Sequence, residues 1–292
     1  MDRQKTVSAF KVESFIRHGD FCDYYQTTVD GTPCVMKVVT DPGDNDLLDQ
    51  EAKTLLALWS SPIDGGNIFT RYLPRLVAGS QTSDGRAVNI LASGEGVYGE
   101  YRSLEEIFEA YPEGVSPRHM AWMMNRMLEI LSWLHRNGFV HGAVLPPSIM
   151  YRPYDHAGAL WNWCYATEIS KRKKLPAKID DYNDWYPEGM LGQRPPRPLD
   201  DTAMLAKGMI RVVGGNPMTG EFPDHVMDFE PGKNFEPLAQ LLRELAEPPA
   251  GISRFSNTDD LRREFKVVIA KVFGPKQFIP FIMPTDFRDR HN

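Results

Sequence analysis

The chain has 292 residues, of which 42% are hydrophobic and 25% charged, a composition typical of a globular protein with one large core or two smaller ones. Its net charge of −6 argues against a broad nucleic-acid-binding surface, which needs an excess of lysine and arginine. The three cysteines are far apart and predict neither a zinc site nor a disulfide framework, and no apolar run suits a membrane span or a secretion signal. We therefore expect a cytoplasmic protein that binds neither nucleic acid nor membranes.

The first part of the chain has the pattern of an antiparallel sheet that contains one helix. Asp30-Gly31 and Asp84-Gly85 are hairpin-turn dipeptides flanked by β-branched and aromatic residues. Between the two hairpins, residues 45–61 repeat leucine at helical spacing and carry acidic residues near the start, which favours a helix. The predicted strands cover residues 9–20, 22–31, 32–41 and the two halves of 75–93.

The second part has helical patterns, and we place a hinge between the two parts near residues 93–99. Ser116 has the character of an N-cap, Pro117 suits the first helical position, and Gly138 ends the predicted helix. Four methionines recur on this helix at core-like spacing. Further helices are predicted within 103–111, 199–213, 235–247 and 257–273.

A small strand-rich lobe with one helix, a hinge and a larger helical lobe resembles the protein kinases, and the resemblance covers nearly the whole chain. It implies an α+β, bilobal, kinase-like fold, with an antiparallel N-lobe at residues 1–96 and a mainly helical C-lobe at residues 97–292. Within it, "CVMK" resembles the motif of the phosphate-binding lysine, here Lys37, and Glu51 in "DQEAKTL" resembles its helical partner.

The glycine-rich loop of the family is poorly matched. In "IRHGDFCDYY" only Gly19 remains, with Arg17 and Cys22 where the first and third glycines would be. Gly19 is therefore either part of a phosphate cradle or a residue of an ordinary turn. The resemblance implies at most weak ATP binding through Lys37, Glu51 and Gly19.

The catalytic positions of the family carry other residue types in this chain. "HGAVLPPS" resembles the catalytic loop, with Gly142 in place of its arginine, Ala143 in place of the catalytic aspartate and Ser148 in place of the metal-binding asparagine. "NWC" resembles the metal-binding D-F-G motif, with Asn162 in place of the aspartate. No carboxylate remains to hold Mg²⁺, so we expect no metal site and little dependence of ATP binding on Mg²⁺.

Motifs of the kinase scaffold are retained. His141 and Asp201 resemble a buried histidine of the catalytic loop and the aspartate that anchors the backbone of that loop, and "YPE" ending at Glu188 resembles the A-P-E segment. "HGAVLPP", the "WC" pair and "FGPKQFIPFIMP" resemble a group of bacterial and phage kinase-like proteins, some of them linked to J-domain chaperones. In that group an aspartate often precedes "WC", where this chain has Asn162.

These residues favour a pseudokinase that acts as a binding or regulatory module with a protein partner. The alternative is an atypical serine/threonine kinase, which would need a replacement acid from among Asp155, Asp180, Asp181 and Asp184. A two-domain protein unrelated to kinases is the third hypothesis. The basic run at residues 170–174 is interpreted as a solvated loop, or otherwise as a docking patch for an acidic partner.

Overall fold

The computed structural model describes residues 10–63, 69–247 and 254–284 and shows a mixed α+β protein. The larger sheet is antiparallel with the strand order β1-β2-β3-β5-β4. Its strands are β1 (Val12–His18), β2 (Cys22–Val29), β3 (Thr32–Val39), β4 (Arg75–Gln81) and β5 (Ala87–Ala92). The first predicted strand starts at Ala9, which lies outside the described residues, as do the ends 1–9 and 285–292 of the two predicted lobes.

Both predicted hairpins are confirmed, and they set the register of the sheet. Asp30 and Gly31 have φ angles of 49° and 76°, so both central residues of the β2–β3 turn are left-handed, as a two-residue hairpin requires. In this register Lys37 lies opposite Tyr24 on β2 and opposite Asn89 on β5. Lys37 is therefore in the middle of the sheet.

Helix α1 (Asn45–Trp59) packs against the sheet with one apolar face. Leu48, Leu55 and Leu58 on this face are fully or almost fully buried. Glu51 lies three residues after Leu48 and four before Leu55, so the helical period places it on the same face. The helix thus carries one carboxylate into the interior.

The remaining helices follow the sheet along the chain and contribute many of the buried core residues. The longest, α3 (Pro117–Arg136), has Ser116 as its N-cap and Pro117 in its first turn, and the chain leaves it through Gly138 at a φ of +79°, as predicted. Its four methionines are fully buried, which confirms their core role. The helices are α2 (Leu104–Ala110), α3 (Pro117–Arg136), α4 (Pro198–Val212), α5 (Asp224–Met227), α6 (Glu236–Ala246) and α7 (Thr258–Phe273).

Short strands that the sequence pattern did not predict lie among these helices, as does α5. They form a three-stranded sheet in the order β6-β8-β9 and a pair of β7 with β10. The strands are β6 (Arg102–Ser103), β7 (Phe139–Val140), β8 (Ile149–Arg152), β9 (Ala157–Leu160) and β10 (Thr167–Glu168). None of the helices in the described part of the chain combines the length and apolarity needed to cross a bilayer.

Candidate functional site

Lys37 and Glu51 form a completely buried ion pair between β3 and α1. Lys37 Nζ lies 2.7 Å from Glu51 Oε1, and both side chains are 0% exposed. Asn89 Nδ2 donates to the other carboxylate oxygen, Oε2, at 3.1 Å. Burial alone would lower the pKa of Lys37, but the Glu51 carboxylate, together with smaller contributions from Tyr24, Cys22 and Cys164, holds this pKa well above its ordinary value. The predicted pairing is confirmed, and the lysine is charged.

Aromatic rings and thiols of the protein itself surround the ammonium group of Lys37. Nζ lies 5.4 Å from the centre of the Tyr24 ring and 5.9 Å from that of Phe21, both within the range of a cation–π contact. Tyr24 and Phe21 are themselves buried. The thiols of Cys22 and Cys164 are buried near the ion pair, and burial raises the pKa of the Cys22 thiol to about 11. A ligand has no open path to Lys37 in this conformation.

A side-chain hydrogen bond joins the sheet to the helical part across this site. The Tyr24 hydroxyl donates to Asn162 Oδ1 at 2.8 Å, and burial raises the pKa of this phenol, so the hydroxyl keeps its proton. Asn162 Nδ2 donates to Ser148 Oγ at 3.2 Å and to the Pro147 carbonyl at 3.3 Å. The amide of Asn162 therefore uses both its oxygen and its nitrogen within the protein.

The β1–β2 turn packs against Tyr24, the residue that covers Lys37. Gly19 N–H donates to the Cys22 carbonyl at 2.9 Å, and a Cβ on Gly19 would lie 2.6 Å from Cε2 of Tyr24. The Arg17 guanidinium, on β1, lies 4.8 Å from the centre of the Tyr24 ring. The absence of a side chain on Gly19 is thus needed for the position of Tyr24, which favours the ordinary-turn alternative over a phosphate cradle.

Asp201, at the start of α4, holds the segment that contains Ala143. Its Oδ2 accepts from the His141 backbone N–H at 2.8 Å and lies 3.0 Å from His135 Nε2, while Oδ1 accepts from the Gly142 N–H at 2.9 Å. The Asp201 carboxylate and the His141 side chain are completely buried. The predicted anchoring role of Asp201 is confirmed.

His141 has a structural position, as predicted. Its Nε2 lies 2.8 Å from the Trp161 carbonyl, and its Nδ1 accepts from the Ala143 N–H at 3.3 Å, an arrangement that places the proton on Nε2. Burial lowers the pKa of His141, so the ring is neutral. Ala143 is completely buried beside it, and the position presents a methyl group to the core.

Gly142 cannot carry a side chain in this structure. Its φ is +79°, and a Cβ would lie 2.8 Å from the Tyr165 carbonyl oxygen and 2.6 Å from Leu175 Cδ1. We expect Gly142→Ala to lower the free energy of unfolding by about 2–3 kcal/mol, from left-handed strain together with overpacking. Urea unfolding measures this change.

Gly138→Ala is the matched control because Gly138 has the same φ of +79°, and nothing lies within 4 Å of the position that a Cβ would take. It isolates the backbone strain, for which we expect a loss of about 1 kcal/mol. Equal losses for the two variants would show that the contact with Tyr165 does not matter.

The proposed replacement acids lie elsewhere or are engaged. Asp155 forms a two-point ion pair with Arg152, with distances of 3.0 and 2.6 Å, and Asp180 is an exposed partner of Lys178 at 2.9 Å. Asp181 and Asp184 are exposed. Within residues 10–63, 69–247 and 254–284, no group of three or more His, Cys, Asp or Glu side chains is arranged to hold a metal ion.

The sequence analysis did not identify Tyr24, which covers Lys37, or Arg194, which holds the loop before α4 in place. Nothing in the pattern of β2 distinguishes Tyr24, whose role depends on a contact 138 residues away. Arg194 makes a two-point ion pair with the fully buried Asp200, at 2.6 and 2.8 Å. Glu188 is exposed, and its carbonyl accepts from Arg194 at 3.0 Å.

The basic run at 170–174 is exposed, as a solvated loop would be.

Comparison with known proteins does not add a relative to this description. No protein-family model matches the chain, and no curated protein matches it at a significant level.

Proposed function

We propose that this chain is a kinase-like protein without phosphotransferase activity, which acts by binding a protein partner. The observation that carries the proposal is that the Lys37–Glu51 pair is present but covered by Tyr24, which is hydrogen-bonded to Asn162. The pair and the Asp201 anchor resemble the kinase scaffold, whereas the groups that resemble catalytic residues are all turned to internal contacts.

Two lobes, at residues 1–96 and 97–292, are part of this proposal. The order of the elements supports it, since a five-stranded sheet with one helix precedes the helical part. The contact of Glu51 with Lys37 and that of Asp201 with the backbone of His141 and Gly142 occur at the positions that the resemblance assigns to them. These contacts support the kinase-like hypothesis over a coincidental order of motifs in an unrelated protein.

The chemistry of the site supports inactivity. A positioned base commonly contributes about 10²–10⁴-fold in rate, and Ala143 provides none. Asn162 and Ser148 hydrogen-bond to each other and carry no negative charge with which to hold Mg²⁺. ATP would have to displace the Tyr24 ring to reach Lys37, so its binding is weak and depends little on metal.

A nucleotide-binding experiment tests the proposal. We expect ATP to raise the melting temperature of the wild-type protein by less than about 1 °C, with or without EDTA, because a weak ligand stabilises the native state little. Tyr24→Ala removes the ring that covers Lys37 and should enlarge the ATP-induced shift. Tyr24→Phe keeps the ring and serves as the matched control. In the Tyr24→Ala background, Asn162→Asp should make the shift depend on Mg²⁺.

A wild-type shift of several degrees that disappears with EDTA would contradict the proposal. The competing enzyme hypothesis is tested by incubating the wild-type protein with labelled ATP, Mg²⁺ or Mn²⁺ and generic protein substrates. Incorporation of label by the wild type that is lost in the double variant Lys37→Met/Glu51→Leu would establish an atypical kinase instead.

A further inference from the structure

A cavity of about 420 Å³ lies between α3, α7 and the segment 274–284, apart from the residues around Lys37. Helix α7 ends at Phe273, and the following Gly274, with a φ of +78°, turns the chain back across α3. Phe281 then packs on His119 and Trp122 of α3, with ring centroids 5.1 and 6.2 Å apart. The C-terminal segment thereby forms one wall of a concavity of the size that small ligands occupy.

Three residues that line the cavity carry buried polar atoms without a hydrogen-bond partner. These atoms are Asn125 Oδ1, His156 Nε2 and Arg262 Nε, and they are three of the five such side-chain atoms in the part of the chain that the structure describes. Buried polar atoms are nearly always paired, so each one without a partner calls for an explanation. Arg262 Nε–H needs an acceptor, which an anionic ligand supplies, whereas Asn125 Oδ1 needs a donor such as a hydroxyl of a ligand or of water.

Trp122 and His156 line the cavity and belong to an aromatic stack. The His156 ring lies parallel to Trp122, at 4.1 Å and 4°, and is stacked on Phe278 at 4.5 Å. His156 is only 8% exposed, and burial lowers its pKa, so the ring is neutral and adds no charge. Such a wall suits a planar or apolar ligand body.

The charged side chains of the lining are mostly cationic. Glu129 is the carboxylate among them, and it is shared by Arg126 at 3.2 Å and Arg262 at 2.9 Å. Lys266 and Lys276 also line the cavity, and neither has an ion pair within the described residues. Burial, and next the charges of Arg262 and Lys276, lower the pKa of Lys266. The wall therefore has an excess of positive charge that an anion would relieve.

We propose that this cavity binds a small organic anion with a planar or apolar body, whose carboxylate or phosphate group is held by Lys266 and Lys276. The stacked rings of Trp122 and His156 pack against the body of the ligand. This site is separate from the residues around Lys37, so the proposal of an anion site does not depend on the proposed function.

Phenyl phosphate is a suitable probe because it combines a ring with an anionic group. We expect its titration into the ¹⁵N-labelled full chain to move the indole Nε1–H resonance of Trp122 in a saturable manner. Inorganic phosphate and phenol, tested separately, should each bind at least about tenfold more weakly, because each lacks one half of the recognised chemistry. If inorganic phosphate binds as tightly as phenyl phosphate, the organic part of the proposal is wrong.

Charge-removing variants provide the second arm of the experiment. The double variant Lys266→Gln/Lys276→Gln should raise the dissociation constant for phenyl phosphate about tenfold, since it removes two donors to a charged group. Lys271→Gln, an exposed position on α7 outside the lining, is the matched control and should leave the constant unchanged. Absence of a saturable shift, or equal weakening by Lys271→Gln, would overturn the proposal.

Discussion

Replacing Glu51 with leucine is expected to lower the free energy of unfolding by about 3–5 kcal/mol, because the change leaves an uncompensated charge in the interior. Lys37 is completely buried, and Glu51 Oε1 at 2.7 Å is its ion-pair partner. The aromatic rings of Tyr24 and Phe21 contact the ammonium group and offer no route to water. Urea unfolding followed by circular dichroism measures the loss.

The double variant Lys37→Met/Glu51→Leu should recover most of this loss, because apolar side chains of similar volume replace a buried pair at little cost. Asn89 Nδ2 keeps an acceptor in the double variant, the Leu48 carbonyl at 2.9 Å. Glu168→Gln is the matched surface control, since Glu168 pairs with the exposed Lys171, and we expect it to cost less than about 1 kcal/mol.

The outcome bears directly on the function. A loss below about 1 kcal/mol for Glu51→Leu would mean that Lys37 reaches water readily, as in an open nucleotide site. The conclusion that the Tyr24 and Phe21 rings shield Lys37 would then be wrong. A large loss that the double variant reverses would mean that the pair acts as part of the core. The motif would then be retained for stability, without any need for ATP.

The elements that the sequence predicts well are those with local signals. The turn at Asp30-Gly31 forces left-handed backbone on two residues, and the apolar period of α1 brings Glu51 to the face that contains Leu48 and Leu55. Lys37 and Glu51 were thus both predictable and correctly paired. The strands β6 to β10 have two to four residues each, too few for a period to emerge.

The parts of the site that could not be predicted depend on contacts between distant segments. In the sequence, Tyr24 is indistinguishable from any other aromatic residue of a strand. Its role is evident only in the structure, where its hydroxyl meets Asn162. The sequence indicates only that Gly142 replaces an arginine of the family. The structure shows that the nearby Tyr165 carbonyl leaves no room for a side chain at this position. The cavity beside α7 arises only when the C-terminal segment folds back over α3, and no motif predicts it.

Replacing Asp201 with alanine is expected to lower the free energy of unfolding by about 3–5 kcal/mol, because the backbone N–H groups of His141 and Gly142 lose their acceptor inside the core. Urea unfolding measures the total loss, and amide hydrogen exchange should show faster exchange at these two N–H groups. Asp49→Ala, an exposed position on α1, is the control and should change stability by less than about 0.5 kcal/mol.

Asp201→Asn separates hydrogen bonding from packing, since it keeps the volume of the side chain. Its amide nitrogen must face either the Gly142 N–H or the His141 N–H, so one donor stays without an acceptor and we expect a loss of about 2–3 kcal/mol. Full stability of Asp201→Asn would show that the carboxylate is not required. A loss in both variants would mean that the carboxylate of Asp201 fixes the backbone of the loop around Ala143, although Ala143 provides no base for that loop to position.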